Sequence, residues 1–326
     1  MTTKQVAVVI VTYKTAQLAI DCLRSIDTER HHPDLAIAVT VVDNSSEDYD
    51  DIKQAIQTNG WSDWVQVACP PKNGGFAYGN NYGVKLASAV QAPDYIHLLN
   101  PDTVVREGAM ASLVQFLEAH LEIGIAGSSF ENLDGSDWPI AFRFPTILSE
   151  IEEGLQFGLV SKFLAPWVVA RTMGKSPERV DWVPGASMMI RRSVFDAVGG
   201  LDDHYFLYFE ETDFCLRAKR LGFQTWYVPA SRVMHIAGQS TKVTERQTEA
   251  RRLPPYWFES RRRFFVQSYG LPYAVLADFC AVLARTLGTL KRFCLRQRTG
   301  GVPHYILDVV QHSVLWPRNR RHLEPT

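Results

Sequence analysis

Short β-branched runs alternate with segments of helical spacing through the first part of the chain, and this rhythm limits the fold most strongly. Strand patterns occur at Val6–Val11, Ala36–Val42, Val65–Ala68, Tyr95–Leu99 and Ile123–Gly127. Helical patterns are expected between them, over 15–27, 48–58, 79–90 and 107–119. Parallel neighbours need crossovers of about a dozen residues. The alternation therefore predicts an α/β fold with a Rossmann-like, mostly parallel sheet and helices on both faces.

Polar motifs follow three of these strands directly. Thr12-Tyr13, Asp43-Asn44 and Asn100-Pro101-Asp102 each stand where a strand ends. In open α/β sheets, ligands bind outside the carboxyl ends of the strands. We therefore expect these three motifs to share one ligand-binding edge.

Asp102 and Asp43 each allow two interpretations. Asp102, delivered by a strand into a loop, suits a divalent cation that bridges a diphosphate, but Asn-Pro-Asp is also an ordinary turn. Asp43 suits the N3–H of a uracil or thymine ring, but the same residue type begins Asx turns and caps helices.

A glycine- and asparagine-rich stretch, Asn73–Gly83, precedes the third helical pattern. Its four glycines predict close backbone approach to a ligand, and the following helix offers N–H groups to phosphate or sugar oxygens. The stretch is neither G-x-G-x-x-G nor a P-loop, so dinucleotide and ATP binding lose support.

Three acids lie within four residues at the start of a predicted helix, as Glu210-Glu211-Thr212-Asp213. Helix capping accounts for acids at this position. An aromatic run before them favours a cleft instead, and a sugar transfer with inversion needs one carboxylate base. His235 follows later on a predicted strand, either as a core residue or as a further ligand for a metal or diphosphate.

The rest of the chain differs in composition. Residues 145–180 are apolar and are predicted to be an inserted helical segment. Residues 251–298 hold ten Lys/Arg against two acids, whereas the whole chain has a net charge of −1. We expect a catalytic domain over 1–245 and a helical, basic region over 246–326. The near-neutral total gives no case for nucleic-acid binding. Five cysteines without metal spacing fit reduced thiols in the cytoplasm.

The basic region also has two interpretations. It is either a helical bundle packed on the core or an amphipathic segment on a membrane surface, with Leu271–Leu290 as its apolar part. In the second interpretation Arg261–Arg263 and nearby aromatics meet a lipid diphosphate. That interpretation predicts a peripheral protein on the inner face of the plasma membrane. A homodimer is left open.

Taken together, the motifs resemble those of the family 2 glycosyltransferases with the GT-A fold, in the rhamnosyltransferase-like branch. The matching segments include VVDNSSED, NGGFAYGNNYG, LLNPDT and the long run from Asp181 to Phe223, with His235 after it. They cover about residues 5–240, and their joint order is specific where each segment alone is not.

The resemblance implies roles for particular residues. Nucleoside and donor contacts are implied for Thr12, Tyr13, Asp43, Asn73, Gly75, Asn80 and Asp102. The acceptor side is implied for Trp182, Pro184, Gly185 and Ala186. Asp102 and His235 would bind Mg²⁺ or Mn²⁺, with Asn100 in the place of a first carboxylate. Glu211 takes the position of the family's base, one methylene longer than the usual aspartate, and Asp213 is its rival.

The function this implies is inverting transfer of L-rhamnose from dTDP-rhamnose to a polyprenyl-diphosphate-linked or other cell-surface glycan acceptor. A UDP-sugar donor carrying galactose or N-acetylglucosamine is an alternative within the same class. A nucleotidyltransferase would need a glycine- and basic-rich phosphate loop after Val11, which the sequence lacks. A non-catalytic sugar-nucleotide binder would tolerate loss of Glu211.

Overall fold

The computed structural model describes residues 3–236, 251–296 and 302–320. These residues divide into two compact units. One comprises 3–142, 172–206 and 210–236, and the other comprises 143–171, 207–209, 251–296 and 302–320. The expected domain boundary at 245/246 lies outside the described residues.

The described residues form twelve strands, and all except β9, which lies partly in the second unit, belong to the first unit. They are β1 Lys4–Thr12, β2 Leu35–Asp43, β3 Val65–Ala68, β4 Tyr95–Leu99, β5 Thr103–Val105, β6 Ile123–Glu131, β7 Asp137–Trp138, β8 Ile140–Phe142, β9 Ala170–Thr172, β10 Glu178–Val180, β11 Ser187–Arg191 and β12 Gln224–His235. Its helices are α1 Ala16–Glu29, α2 Tyr49–Thr58, α3 Gly75–Val90, α4 Ala109–Ala119, α7 Arg192–Val198 and α8 Glu210–Arg220.

The second unit is helical. It contains α5 Ile147–Leu155, α6 Gly158–Leu164, α9 Pro255–Tyr269, α10 Leu271–Cys294 and α11 Tyr305–His312, with 3₁₀ turns at Ala165–Trp167 and Pro317–Arg320. The apolar segment 145–180, predicted as an inserted helical segment, is helical only in its first part. Its helices end at Trp167, where the β-branched pair Val168-Val169 leads into strand β9, and Gly174 and Pro177 then separate β9 from β10.

One sheet organises the first unit, in the order β10-β12-β6-β11-β4-β1-β2-β3, with β5 paired to β12 and β7 to β6. The β4-β1-β2-β3 pairs are parallel, and so is β6-β12. β11 lies antiparallel between β4 and β6. Valine and isoleucine from β1 and β2, with Tyr95 and Leu99 from β4, fill the core on this sheet. The predicted α/β class, with a mostly parallel sheet and surrounding helices, is confirmed.

The third helical pattern, expected from residue 79, begins earlier in the structure and includes most of the glycine-rich stretch. Helix α3 begins at Gly75, and Gly79 and Gly83 lie inside it. A Cβ on Gly79 would lie 2.8 Å from Val11 Cγ1, and one on Gly83 would lie 2.5 Å from Val9 Cγ1. These two glycines therefore let α3 pack closely on β1, and this packing offsets their low helix propensity.

The second unit buries the arginines that were expected to face a lipid diphosphate. The Arg261 guanidinium lies 3.0 Å from Glu150 Oε1 and 2.6 Å from Asp278 Oδ1. Arg262 donates to the His312 carbonyl at 2.7 Å, and Arg263 is also buried. That part of the membrane interpretation is wrong, because internal acids and carbonyls hold this arginine run inside the unit.

Candidate active site

The loop after β1 is held by a carboxylate that sequence reasoning missed. Asp48 Oδ2 accepts from the Thr12 hydroxyl at 3.0 Å and from the Thr15 amide at 2.8 Å. Thr12 is fully buried, whereas Tyr13 between the two anchors is 39% exposed. Thr12 therefore fixes the loop, and Tyr13 presents its ring at the edge of the sheet. The capping position of Asp48, just before α2, was the available signal.

Asp43 uses both carboxylate oxygens within the loop after β2. Oδ1 accepts from the Ser46 amide at 2.9 Å and from the Ser46 hydroxyl, and Oδ2 accepts from the Tyr49 amide at 3.1 Å. Asp43 also stands opposite Thr12 in the β1–β2 ladder. It therefore lies at the expected edge and caps α2, which is one of its two proposed roles. A contact with a nucleoside base stays a prediction.

An asparagine network ties the β2 loop to the start of α3. Asn44 Nδ2 donates to Asn73 Oδ1 at 2.9 Å and to the Gly75 carbonyl at 3.0 Å, and the Gly75 amide donates to Asn73 Oδ1 at 3.0 Å. Asn80 Nδ2 donates to the Phe76 carbonyl at 2.9 Å. The buried Oδ1 atoms of Asn44 and Asn80 have no hydrogen-bond partner within the described part of the chain. Unpaired buried acceptors are costly, so these two oxygens suit a ligand with hydroxyl or N–H donors.

Gly75 is the one glycine of this stretch that the backbone itself requires. Its φ is +89°, and a Cβ there would lie 2.0 Å from the Phe206 carbonyl oxygen. That oxygen accepts from the Phe76 amide at 2.8 Å. The first turn of α3 is thereby joined to the chain segment just before the acidic helix α8, a link that no local sequence pattern showed.

Asp102 and His235, the two residues predicted to bind a metal, lie side by side. Strand β12 is irregular between Val228 and Arg232, and beyond that point it pairs with β5, so that His235 lies opposite Thr103. The His235 Nε2 atom is 3.4 Å from Asp102 Oδ1. The His235 ring stacks on Trp138, with 6.1 Å between ring centroids. Bulges of this kind often direct a side chain into a site.

The acceptor-side residues adjoin both the β4 loop and α3. The Asn100 amide donates to the Ala186 carbonyl at 3.1 Å. A Cβ on Gly185 would lie 3.0 Å from the Phe76 ring, so glycine permits the close approach. The Pro184 carbonyl accepts from Ser187 at 3.3 Å and shapes the turn into β11. Trp182 instead stacks on Phe142 at 4.1 Å.

Glu211 is the acid of α8 that faces these elements. Burial raises the pKa of Glu211, although the Gly185 amide donates to its carboxylate and opposes the rise. Burial and the charge of Glu211 raise the pKa of Glu210 well above its ordinary value. The Oε2 atoms of both residues lack hydrogen-bond partners in the described ranges. A carboxylate with a free oxygen and a raised pKa has the properties of a general base.

Asp213 is engaged elsewhere. Its Oδ2 atom lies 2.7 Å from Arg217 Nε, one helical turn further on. The backbone before α8 has positive φ at both Tyr208 and Phe209, each 70°. Such conformations are costly for bulky residues and concentrate at functional sites. Sequence patterns gave no sign of this backbone strain.

A family model matches most of the chain. The chain belongs to glycosyltransferase-like family 2, whose model matches residues 4–252. The match covers the whole sheet and every site residue named above.

Curated relatives share part of the chain. An N-acetylglucosaminyl-diphospho-decaprenol L-rhamnosyltransferase of Mycobacterium tuberculosis is 29% identical over 153 residues, covering 45% of this chain and 48% of the relative. Rhamnosyltransferase WbbL of Escherichia coli is 28% identical over 173 residues, covering 50% and 61%. The chain thus spans about half the length of the curated relatives it matches. They support a rhamnosyltransferase-like protein.

Two solved structures show the fold. GalNAc-T7 with UDP, GalNAc and Mn²⁺ matches with a TM-score of 0.59 and 16% identity, over 96% of this chain and 58% of that one. A mannosyltransferase from Pyrobaculum calidifontis with GDP-Man and Mn²⁺ matches with a TM-score of 0.54 and 15% identity, over 98% and 83%. The expected GT-A architecture is confirmed.

Proposed function

We propose that the chain transfers L-rhamnose from dTDP-rhamnose, with inversion, to a polyprenyl-diphosphate-linked saccharide. Three of the relatives are rhamnosyltransferases by name, and the mycobacterial one names a lipid diphosphate acceptor. These names support the sugar and the class of acceptor. A lipid-linked acceptor also supports a site of action at the inner face of the plasma membrane.

The observation that carries this proposal is the buried Glu211 carboxylate, with its raised pKa and one unpartnered oxygen among the described residues. Its carboxylate keeps one oxygen without a partner among the described residues, beside the Gly185 turn. In the proposed step this oxygen takes the proton of the acceptor hydroxyl as that hydroxyl attacks the sugar C1. The bond from C1 to the diphosphate oxygen breaks, and the nucleoside diphosphate leaves from the opposite face. Inversion follows from the single displacement.

Donor binding is assigned to the edge formed by the β1, β2 and α3 segments. Tyr13 presents an exposed ring for stacking on the base, and the free Oδ1 atoms of Asn44 and Asn80 accept from donor hydroxyl or N–H groups. Asn44 was not among the predicted site residues, although it adjoins Asp43 in the motif. Asn73 and Gly75 hold Asn44 in place.

A divalent cation, Mg²⁺ or Mn²⁺, fits the Asp102–His235 pair. One carboxylate oxygen and one imidazole nitrogen lie 3.4 Å apart. No group of three or more His, Cys, Asp or Glu suited to a metal occurs in the described residues. Mg²⁺ is commonly held by one or two carboxylates, with phosphate oxygens and waters completing its shell. The bound cation would stabilise negative charge on the leaving diphosphate.

A UDP-sugar donor carrying galactose or N-acetylglucosamine remains the alternative within this class. A screen of dTDP-rhamnose, UDP-galactose, UDP-N-acetylglucosamine and GDP-mannose with Mg²⁺ or Mn²⁺ tests both, by following nucleotide release in the presence of lipid-linked acceptor. Release of dTDP alone supports the proposal. Release of UDP alone supports the UDP-sugar alternative, and donor binding without release of any nucleotide indicates a non-catalytic binder.

A further inference from the structure

Helix α10 presents its large apolar side chains outwards and its small ones inwards. The buried side consists of Ala274, Ala277, Asp278, Ala281, Ala284 and Gly288. The exposed side, called the outer face, consists of Leu276, Phe279, Leu283, Leu287, Leu290 and Phe293, which are 46–76% exposed. Core-packing helices show the reverse pattern, since large apolar residues gain most from burial.

The inner side of α10 is fixed by close packing within the second unit. A Cβ on Gly288 would lie 2.2 Å from the Gly154 carbonyl oxygen of α5. Asp278 lies in the buried ion pair with Arg261. These contacts determine which side of the helix is covered, so the outer face is a defined surface.

The outer face has no acidic residue and ends in basic residues. Asp278 is the one acid in α10, and it is buried. Lys291 and Arg292 lie in the last turn, and the exposed Arg296 follows. Exposed leucine and phenylalanine beside lysine and arginine is the composition of interfacial helices on anionic membranes.

The apolar surface continues onto α6. Lys291 Nζ donates to the Gln156 carbonyl and lies 5.1 Å from the centroid of the Phe157 ring. On α6, Leu159 and Phe163 are 81% and 75% exposed. Of the 22 large apolar side chains exposed in the described residues, 16 belong to this unit. That concentration marks an interaction surface rather than scattered surface leucines.

We propose that the outer face of α10 and the adjoining part of α6 insert into the surface of an anionic phospholipid bilayer, with α10 lying in the plane of the membrane. By length and composition α10 is also a candidate for crossing a membrane, and a third of its most apolar stretch is buried in the protein. A crossing helix would carry Asp278 and Arg285 into the hydrocarbon, where charges are costly. The in-plane orientation leaves both on the protein side.

Vesicle sedimentation of the full chain tests this surface. Wild-type protein should bind vesicles of phosphatidylcholine with phosphatidylglycerol, and bind less to phosphatidylcholine alone or at high salt. The double variant Leu287→Glu/Leu290→Glu should reduce the bound fraction at least about tenfold. Leu121→Glu/Leu133→Glu is the matched control, since those leucines are 79% and 67% exposed in the other unit, and it should bind as wild type does.

Three results would overturn the proposal: no binding by wild type, equal loss in the control variant, or material resistant to alkaline carbonate extraction, which would indicate a spanning helix. A lipid-free dimer that Leu287→Glu dissociates would assign the face to a second copy instead. This inference stands apart from the sugar transfer. Rhamnosyl transfer to a short-chain, water-soluble acceptor should be unchanged in the double variant, so the two proposals fail separately.

Discussion

The Arg217 Nε atom lies 2.7 Å from Asp213 Oδ2, and its two other nitrogens donate to the carbonyls of Val198 and Gly200. Asp213 therefore orients an arginine that joins α8 to the end of α7. This relationship gives Asp213 a structural contact, and it is the reason that we propose Glu211 rather than Asp213 as the base.

We expect Asp213→Asn to lower the free energy of unfolding by roughly 1–3 kcal/mol, because Arg217 loses its charged partner in a partly buried site. Turnover per folded molecule should stay within a few-fold of wild type. Urea denaturation measures the change in the free energy of unfolding, and initial rates measure the turnover. A thousandfold loss of turnover at unchanged stability would make Asp213 the base.

The pH profile should report the raised pKa of Glu211. A base acts in its ionised form, so kcat/KM falls as the pH drops through that pKa. Because burial raises the pKa of Glu211, the acidic limb should lie above the ordinary glutamate value of about 4.3. The profile of initial rates against pH measures it. A limb at or below the ordinary value would contradict the burial that the structure shows.

Replacing Glu210 by its neutral isostere should stabilise the protein at neutral pH. A carboxyl with a raised pKa holds more protons in the folded state than in the unfolded state, so stability falls as pH rises through the folded pKa. Glu210 has such a pKa, raised by burial and by Glu211. Glu210→Gln removes this cost, and thermal unfolding at acidic and slightly alkaline pH should show a gain confined to the higher pH. A variant that is no more stable than wild type at the higher pH would refute this prediction.

Removal of divalent cations should abolish transfer, and Mg²⁺ or Mn²⁺ should restore it. Asp102→Asn and His235→Ala should each raise the metal concentration needed for half-maximal rate by about 10–100-fold, by analogy with losses at weakened metal sites. Arg106→Gln serves as a control, because Arg106 pairs with Glu131 and not with Asp102 or His235. Full activity in a chelator would contradict the assignment.

The fold was predictable where the periodicity was simple. Buried valine and isoleucine runs predicted the strands, and polar residues after Val11, Val42 and Leu99 marked the candidate binding edge, since both signals are local. The close packing of α3 on β1 was not predictable, because Gly79 and Gly83 approach Val11 and Val9, which are distant in sequence. The burial of Arg261 was unpredictable for the same reason, since its partner Glu150 lies 111 residues away.

At the candidate site, the sequence indicated candidate residues but not their hydrogen-bond partners. Glu211 and Asp213 are equivalent candidates by sequence alone. In the structure Glu211 contacts the distant Gly185, whereas Asp213 pairs with Arg217 one helical turn away. The Asp102–His235 pairing required the irregularity in β12. Asp48 belongs to the VVDNSSED motif, but its contact with Thr12 depends on how the loops after β1 and β2 pack together, which the sequence does not show.

The central claim is that Glu211 is the base of a rhamnosyl transfer, and one comparison tests it most directly. Wild type and Glu211→Gln are mixed with dTDP-rhamnose, Mg²⁺ and a polyprenyl-diphosphate-linked acceptor, and glycosylated product is measured over a single turnover alongside donor Kd. We predict similar donor Kd and a rate about 10²–10⁴-fold lower in the variant. A variant that forms product at the wild-type rate would contradict the account.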